Sequence, residues 1–191
     1  MHRTARCVWL LVISFALSLT GFAADPASEW VTYRNESYGY QLEHPTMLWE
    51  VIEAQPRTGQ EATWSATILE GDEVQKVTFI EQDARMGLAE LQIRVLKRQR
   101  GQDLKGFVET YEVTDIHGDS LIQTVQDTTL GGIPAKELTL WLFDHIGSQV
   151  ITVHRSYVYI VSFAKENPNH PDHERHKGIY RRMVTSFRFL P

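Results

Sequence analysis

Cysteine is nearly missing from this chain: the single one, Cys7, sits near the start in TARCVW. One thiol cannot close an intramolecular disulfide, so stability has to come from an apolar core. A lipid-modified cysteine would follow small residues at the end of an apolar run, and Cys7 has neither, so no lipid anchor is expected. An excess of basic charge is also missing, since 19 Lys and Arg face 24 Asp and Glu, a formal charge of −5. A net acidic chain is a poor nucleic-acid binder unless its basic residues are strongly clustered. The nearest cluster, LKRQRGQDLKG with Lys97, Arg98, Arg100 and Lys105, has no interleaved aromatics to stack on bases and reads as a solvated turn. There is no phosphate-binding glycine loop, no dinucleotide fingerprint and no cysteine-based metal motif. Internal repeats, low-complexity tracts and Gly/Pro-rich linkers are absent as well, which favours one domain.

The one long apolar run, Val8 to Leu19, has 12 residues. Spanning a bilayer takes about 20. With Arg3 and Arg6 before it and TGFAA after it, the segment reads as a secretory signal over residues 1–23, cut after Ala23. The remaining 24–191, 191 − 23 = 168 residues, is then expected to be a single domain with charge 17 − 24 = −7, free in the periplasm or secreted, without a stable membrane anchor. Asn35-Glu36-Ser37 is a glycosylation sequon that matters only in a host that glycosylates exported proteins.

Strand signals dominate the chain beyond residue 23. ELTLWLF (137–143) places Leu138, Leu140 and Leu142 on one face with Trp141 and Phe143 on the other, and YVYIVSF (157–163) is apolar on both faces too. Such strands must be covered on both sides, by helices on each face of a sheet or by a second sheet on one. Further strands are predicted over 31–34, 38–44, 62–70, 74–82, 120–128 and 148–154. Short links, Gly71-Asp72-Glu73 and Arg155-Ser156, make the flanking strands antiparallel hairpins. GLAELQIRVLK (87–97) fits both periods, and strand is the expectation. Helices are predicted in QDLKGFVETYEV, capped by Asp103, and in PDHERHKGIYRRMVTSF, where Pro171 suits the first helical position and Ile179, Tyr180, Met183, Val184 and Phe187 share a stripe.

Two stretches could carry chemistry. NPNHPDHERHK (167–177) holds His170, His173 and His176 at three-residue spacing across a helix start. These imidazoles could simply edge the core, or they could fold together, with Asp172 or Glu174, around Zn²⁺ or Cu²⁺. The positive end of the helix dipole favours the neutral imidazole that a metal needs. In the other stretch, Gly118-Asp119-Ser120-Leu121 spells the signature of the GDSL esterases, with Ser120 as nucleophile. No Asp-x-x-His base follows late in the chain, and the stretch leads into a strand-like segment, so a turn is the simpler reading. No catalytic residue and no cofactor are assigned on this basis.

YGYQLEHP with Trp49 after it, GGIPAKELTLW, SYVYIVSF, a helix and the terminal TSFRF together resemble, in order, the PsbP-like family. The resemblance spans the chain after residue 23 and implies an α+β fold: an antiparallel sheet flanked by helices on both faces, an α/β/α sandwich. It also implies a non-enzymatic accessory or binding protein. Some members assist the oxygen-evolving centre of photosystem II, and bacterial relatives are exported. The chain has a bacterial-style signal in place of a transit peptide, so the partner it implies is an envelope protein or a small ligand. Binding of Zn or Cu by the three histidines is the alternative.

Overall fold

In a computed structural model, residues 29–54, 73–82, 89–115, 117–142, 145–166 and 171–191 are described. The strands are β1 (Trp30–Asn35), β2 (Tyr40–Pro45), β3 (Trp49–Ala54), β4 (Glu73–Glu81), β5 (Glu90–Lys97), β6 (Ile122–Leu130), β7 (Ile133–Leu142), β8 (His145–His154), β9 (Tyr157–Glu166) and β10 (Arg188–Phe189). The helices are α1 (Leu104–Thr110) and α2 (His173–Ser186). Seven strands form one antiparallel sheet in the order β3-β4-β5-β9-β8-β7-β6, and β1-β2-β10 form a small second one.

Alternation decides each face. Along β5, Leu91, Ile93 and Val95 point to one side, and on β9 Tyr159 and Val161 join them while Val158 and Ile160 point to the other. The first side is covered by the small sheet together with α2, whose Ile179, Tyr180 and Met183 are buried there. The second is covered near β7 and β8 by α1, through Phe107, Tyr111 and neighbouring Val113. The antiparallel sheet expected from the sequence is thus present, but the cover departs from a helix-flanked sandwich. A strand layer shares one side with α2, and a helix of only seven residues sits on the other. Trp141 shows the consequence: it is 58% exposed, because the cover on its side does not reach that part of β7.

Tyr40 is the centre of the first core. Its ring stacks on Phe187 (5.4 Å, 9°) and meets Tyr159 edge-on (6.0 Å, 79°). Gly131 and Gly132, at φ 60° and 84°, make the two-residue β6–β7 turn that the strand twist requires. A Cβ on Gly131 would come within 2.8 Å of Phe189, so the turn also brings β10 against the sheet. Asp103 caps α1 as expected, its Oδ1 accepting from Gly106 N at 2.7 Å. α2 begins at His173, later than the start at Pro171 that the sequence suggests. Pro171 and Asp172 form a turn instead, and the Asp172 carboxylate lies 3.7 Å from Arg175 without capping the helix through its side chain. The strand expected over 62–70 and its hairpin lie outside the described residues.

Two histidines in this frame make stability pH-dependent. His44 is buried against Phe79 (5.2 Å), its Nδ1 2.9 Å from the Pro45 carbonyl, and burial lowers its pKa from 6.5. His154 is also lowered, by burial and then by neighbouring Arg155. A depressed imidazole pKa means that the unfolded chain takes up the proton first. Its contribution is therefore fully present above the unfolded value near 6.5 and is lost as pH falls below it. Denaturant midpoints should drop between about pH 7 and pH 5. A His44→Gln/His154→Gln variant should show a flatter profile over that range.

Candidate functional site

Among the described residues, the start of α2 holds a buried charged cluster. Along β4, Gln75, Val77, Phe79 and Glu81 alternate inward, so the strand ends by aiming a carboxylate at the core side. The Glu81 side chain is only 4% exposed. Left alone there it would be strongly disfavoured. Two consecutive residues of α2 compensate: Arg175 Nη2 donates to Oε1 at 2.6 Å, and His176 Nε2 lies 2.7 Å from Oε2. Arg175 Nη2 is also 3.1 Å from His176 Nε2. A carboxylate only accepts, so the 2.7 Å contact places the proton on Nε2, pointing to Glu81, and Nε2 then accepts nothing from Arg175, whose guanidinium only donates. Trp49, the register partner of Glu81 on β3, closes the site; its indole Nε1 is buried without a hydrogen-bond partner and its ring meets Tyr180 edge-on at 6.2 Å.

This cluster ties β4 to α2 across 95 residues of sequence. It explains why His176 is buried, its ring tilted over Tyr180 at 6.2 Å. His173 is partly exposed, with Nε2 3.4 Å from Glu174 Oε1. His170 lies outside the described residues, and among the described residues no group of three potential ligands is close enough to hold a metal ion. The structure therefore places His176 in an ion-paired cluster and His173 beside it on the helix. Sequence reasoning misses Glu81 and Arg175. The one signal for them is a carboxylate at an inward position at the end of an apolar alternation.

Ser120 sits elsewhere. It is exposed, forms a bridge with Thr114, and its Oγ accepts from Ile122 N at 3.3 Å. Asp115 Oδ1 accepts from the backbone N–H of His117 (2.8 Å) and of Asp119 (2.9 Å), which folds the loop. Those bonds hold the Asp115 carboxyl below its usual range. Strand β6 follows Ser120 where an esterase of the GDSL type would open a helix. The basic residues Lys97, Arg98, Arg100 and Lys105 are exposed around the turn before α1, as a solvated turn requires.

No protein-family model matches the chain, and no curated protein matches it. Among solved structures it is similar to the solution structure of cyanobacterial PsbP (CyanoP) from Synechocystis sp. PCC 6803, with a TM-score of 0.52 over 91% of this chain and 99% of that one. The fold is PsbP-like. At 12% identity the likeness is one of architecture, and it covers nearly the whole of both chains. The stretches that carry the PsbP-like resemblance fall on its framework: YGYQLEHP on β2, GGIPAKELTLW on the β6–β7 turn and β7, SYVYIVSF on β9, and TSFRF at the end of α2 and β10. Among the described residues no helix is long and apolar enough to cross a membrane.

Proposed function

We propose that the chain is an exported, non-enzymatic accessory protein of the PsbP-like type that acts by binding a partner protein of the cell envelope. The fold shared with CyanoP over 91% of the chain supports this reading most strongly. The cluster at the start of α2 agrees with it, because its carboxylate, guanidinium and imidazole are spent on holding a helix to a sheet. The β2–β3 turn is the surface where we would look for the partner. Met47 and Leu48 are 52% and 46% exposed, and Leu48 takes a left-handed backbone with φ 66°. For a residue with a side chain that conformation costs about 1–2 kcal/mol, and the turn holds it through the Leu48 carbonyl, which accepts from Gln82 N at 2.7 Å.

Leu48→Gly separates the two roles. It should leave the fold equally stable or up to about 1 kcal/mol more stable, because glycine accepts the left-handed backbone. Capture of the envelope partner by the tagged full chain should nevertheless fall. Undiminished capture by the variant would remove the turn from the binding surface, and no specific capture by either form would count against the binding role.

The second reading is a metal site built from His170, His173 and His176. One observation favours it: an imidazole oriented by a carboxylate, as His176 is by Glu81 at 2.7 Å, is the usual outer-shell arrangement of a metal ligand. The Arg175 cation 3.1 Å from Nε2 takes that side of the ring, so an ion would have to approach Nδ1. Calorimetric titration of the full chain with Zn²⁺ and Cu²⁺ tests it. Saturable binding that is lost in His173→Ala/His170→Ala, with the fold intact, would support the site; flat traces would reject it.

A further inference from the structure

Folding adds a fourth cation to the basic turn after β5. Lys97 ends that strand, Arg98 and Arg100 follow it, and Arg155 lies far away in sequence on the two-residue turn between β8 and β9; all four are exposed. Register brings the two turns together. Lys97 is the partner of Tyr157, Tyr157 is the partner of His154, and Arg98 N donates to the Ser156 carbonyl at 2.9 Å. The ends of β5, β9 and β8 are thus successive strands, spaced by about 5 Å. The first turn is fixed in shape, since Gly101 takes the left-handed backbone at φ 79° and Gln102 N donates to the Gln99 carbonyl at 3.1 Å.

Among the described residues none of these four cations has an ion-pair partner. The carboxylates nearest in the fold are engaged elsewhere: Glu73 Oε2 accepts from Arg94 at 2.6 Å, Asp103 caps α1, and Glu109 lies 3.7 Å from Lys105. Outside the four, 19 − 4 = 15 Lys and Arg face 24 Asp and Glu, so an anionic surface is attracted at this end against the charge of the rest of the chain. Residues 97–102 with Arg155 and Ser156 include no apolar or aromatic side chain. A protein interface is anchored by an apolar or aromatic centre, and a nucleic-acid strand stacks on rings. A layer of anionic lipid headgroups needs neither, because a few basic side chains within a Debye length of it are enough.

We propose that Lys97, Arg98, Arg100 and Arg155 dock the protein reversibly on an anionic phospholipid bilayer. The patch lies at the opposite end of β4 from the β2–β3 turn: Glu73 pairs with Leu96, next to Lys97, whereas Glu81 pairs with Trp49. Docking leaves that turn clear of the bilayer, and the proposal does not depend on the accessory role above. Co-sedimentation of the full chain with vesicles of phosphatidylglycerol and phosphatidylcholine, and with vesicles of phosphatidylcholine alone, tests it at low and high salt. The variants are Arg98→Gln/Arg100→Gln, Arg155→Gly and, as a control exposed on α2, Arg181→Gln, each checked for folding by thermal melting. Binding should require phosphatidylglycerol, weaken in high salt and fall about fivefold for each cation removed from the patch, while Arg181→Gln binds as the parent does. Arg155→Gly carries the test if the double variant does not fold, because glycine accepts the left-handed backbone that Arg155 holds at φ 53°. Equal binding to both vesicle types, or a loss in Arg181→Gln as large as in Arg155→Gly, would overturn the proposal. Binding to polyglutamate without binding to either vesicle would also overturn it and assign the patch to an acidic protein segment.

Discussion

Glu81→Ala is expected to destabilise the protein by about 3–5 kcal/mol, the range for removing one member of a buried ion-paired group. Two α2 side chains depend on this carboxylate. His176 is 6% exposed and would lose the acceptor on Nε2, and Arg175, 32% exposed, would lose the only carboxylate within 3 Å of Nη2 among its described ion pairs. Neither can turn fully to water without lifting the start of the helix. For a domain of this size the melting temperature should fall by about 10 °C. Arg175→Ala should cost less, because Glu81 keeps His176 and Arg175 is partly solvated already. The comparison by chemical denaturation separates a structural cluster from a peripheral ion pair. Equal and small effects, below about 1 kcal/mol, would show that the cluster does not hold α2.

Tyr40→Ala should cost a similar amount, about 3–5 kcal/mol, for a different reason. The ring is fully buried and contacts aromatic rings from three other elements: Tyr33 of β1, Tyr159 of β9 and Phe187 at the end of α2. Truncation would leave a cavity at the point where the small sheet, the large sheet and α2 meet. The hydroxyl contributes much less. Its bond to Gln75 Oε1 is long, at 3.3 Å. Tyr40→Phe should therefore cost about 1 kcal/mol or less. Burial also pushes the ionisation of Tyr40 far up and that of Tyr159 up to about 12. Protonation of both phenols is retained in the folded state, so this contribution weakens only as pH rises above the ordinary phenol value of 10.

The strands are legible in the sequence where alternation is strong. Within the 87–97 stretch, which fits both periods, Glu90–Lys97 is a strand, in which Leu91, Ile93 and Val95 share the core face while Gln92 and Arg94 take the polar one. β3 is not legible as a strand, since WEVIEA mixes two glutamates with its apolar positions, and only Trp49 reads as a plug for the core. β10 is two residues long and exists because Leu190 N and the β2 register hold the chain end near Gly39 and Tyr40. The buried polar groups are the hardest part to read. His176 finds Glu81 95 residues away, Tyr159 Oη finds the Tyr38 carbonyl 121 residues away, and no local pattern records either pairing. The histidine spacing points to the right helix end; the partners that give it meaning come from strand β4.

The claim that this fold works by gripping a partner is tested most directly by photo-crosslinking in the native host, with a photoreactive residue at Met47 of the full chain and a control at exposed Thr124 on the edge strand β6. One dominant envelope-protein adduct is predicted from Met47, absent from Thr124 and reduced by Leu48→Gly. Adducts of equal yield and identity from both positions, or none from either, would contradict it.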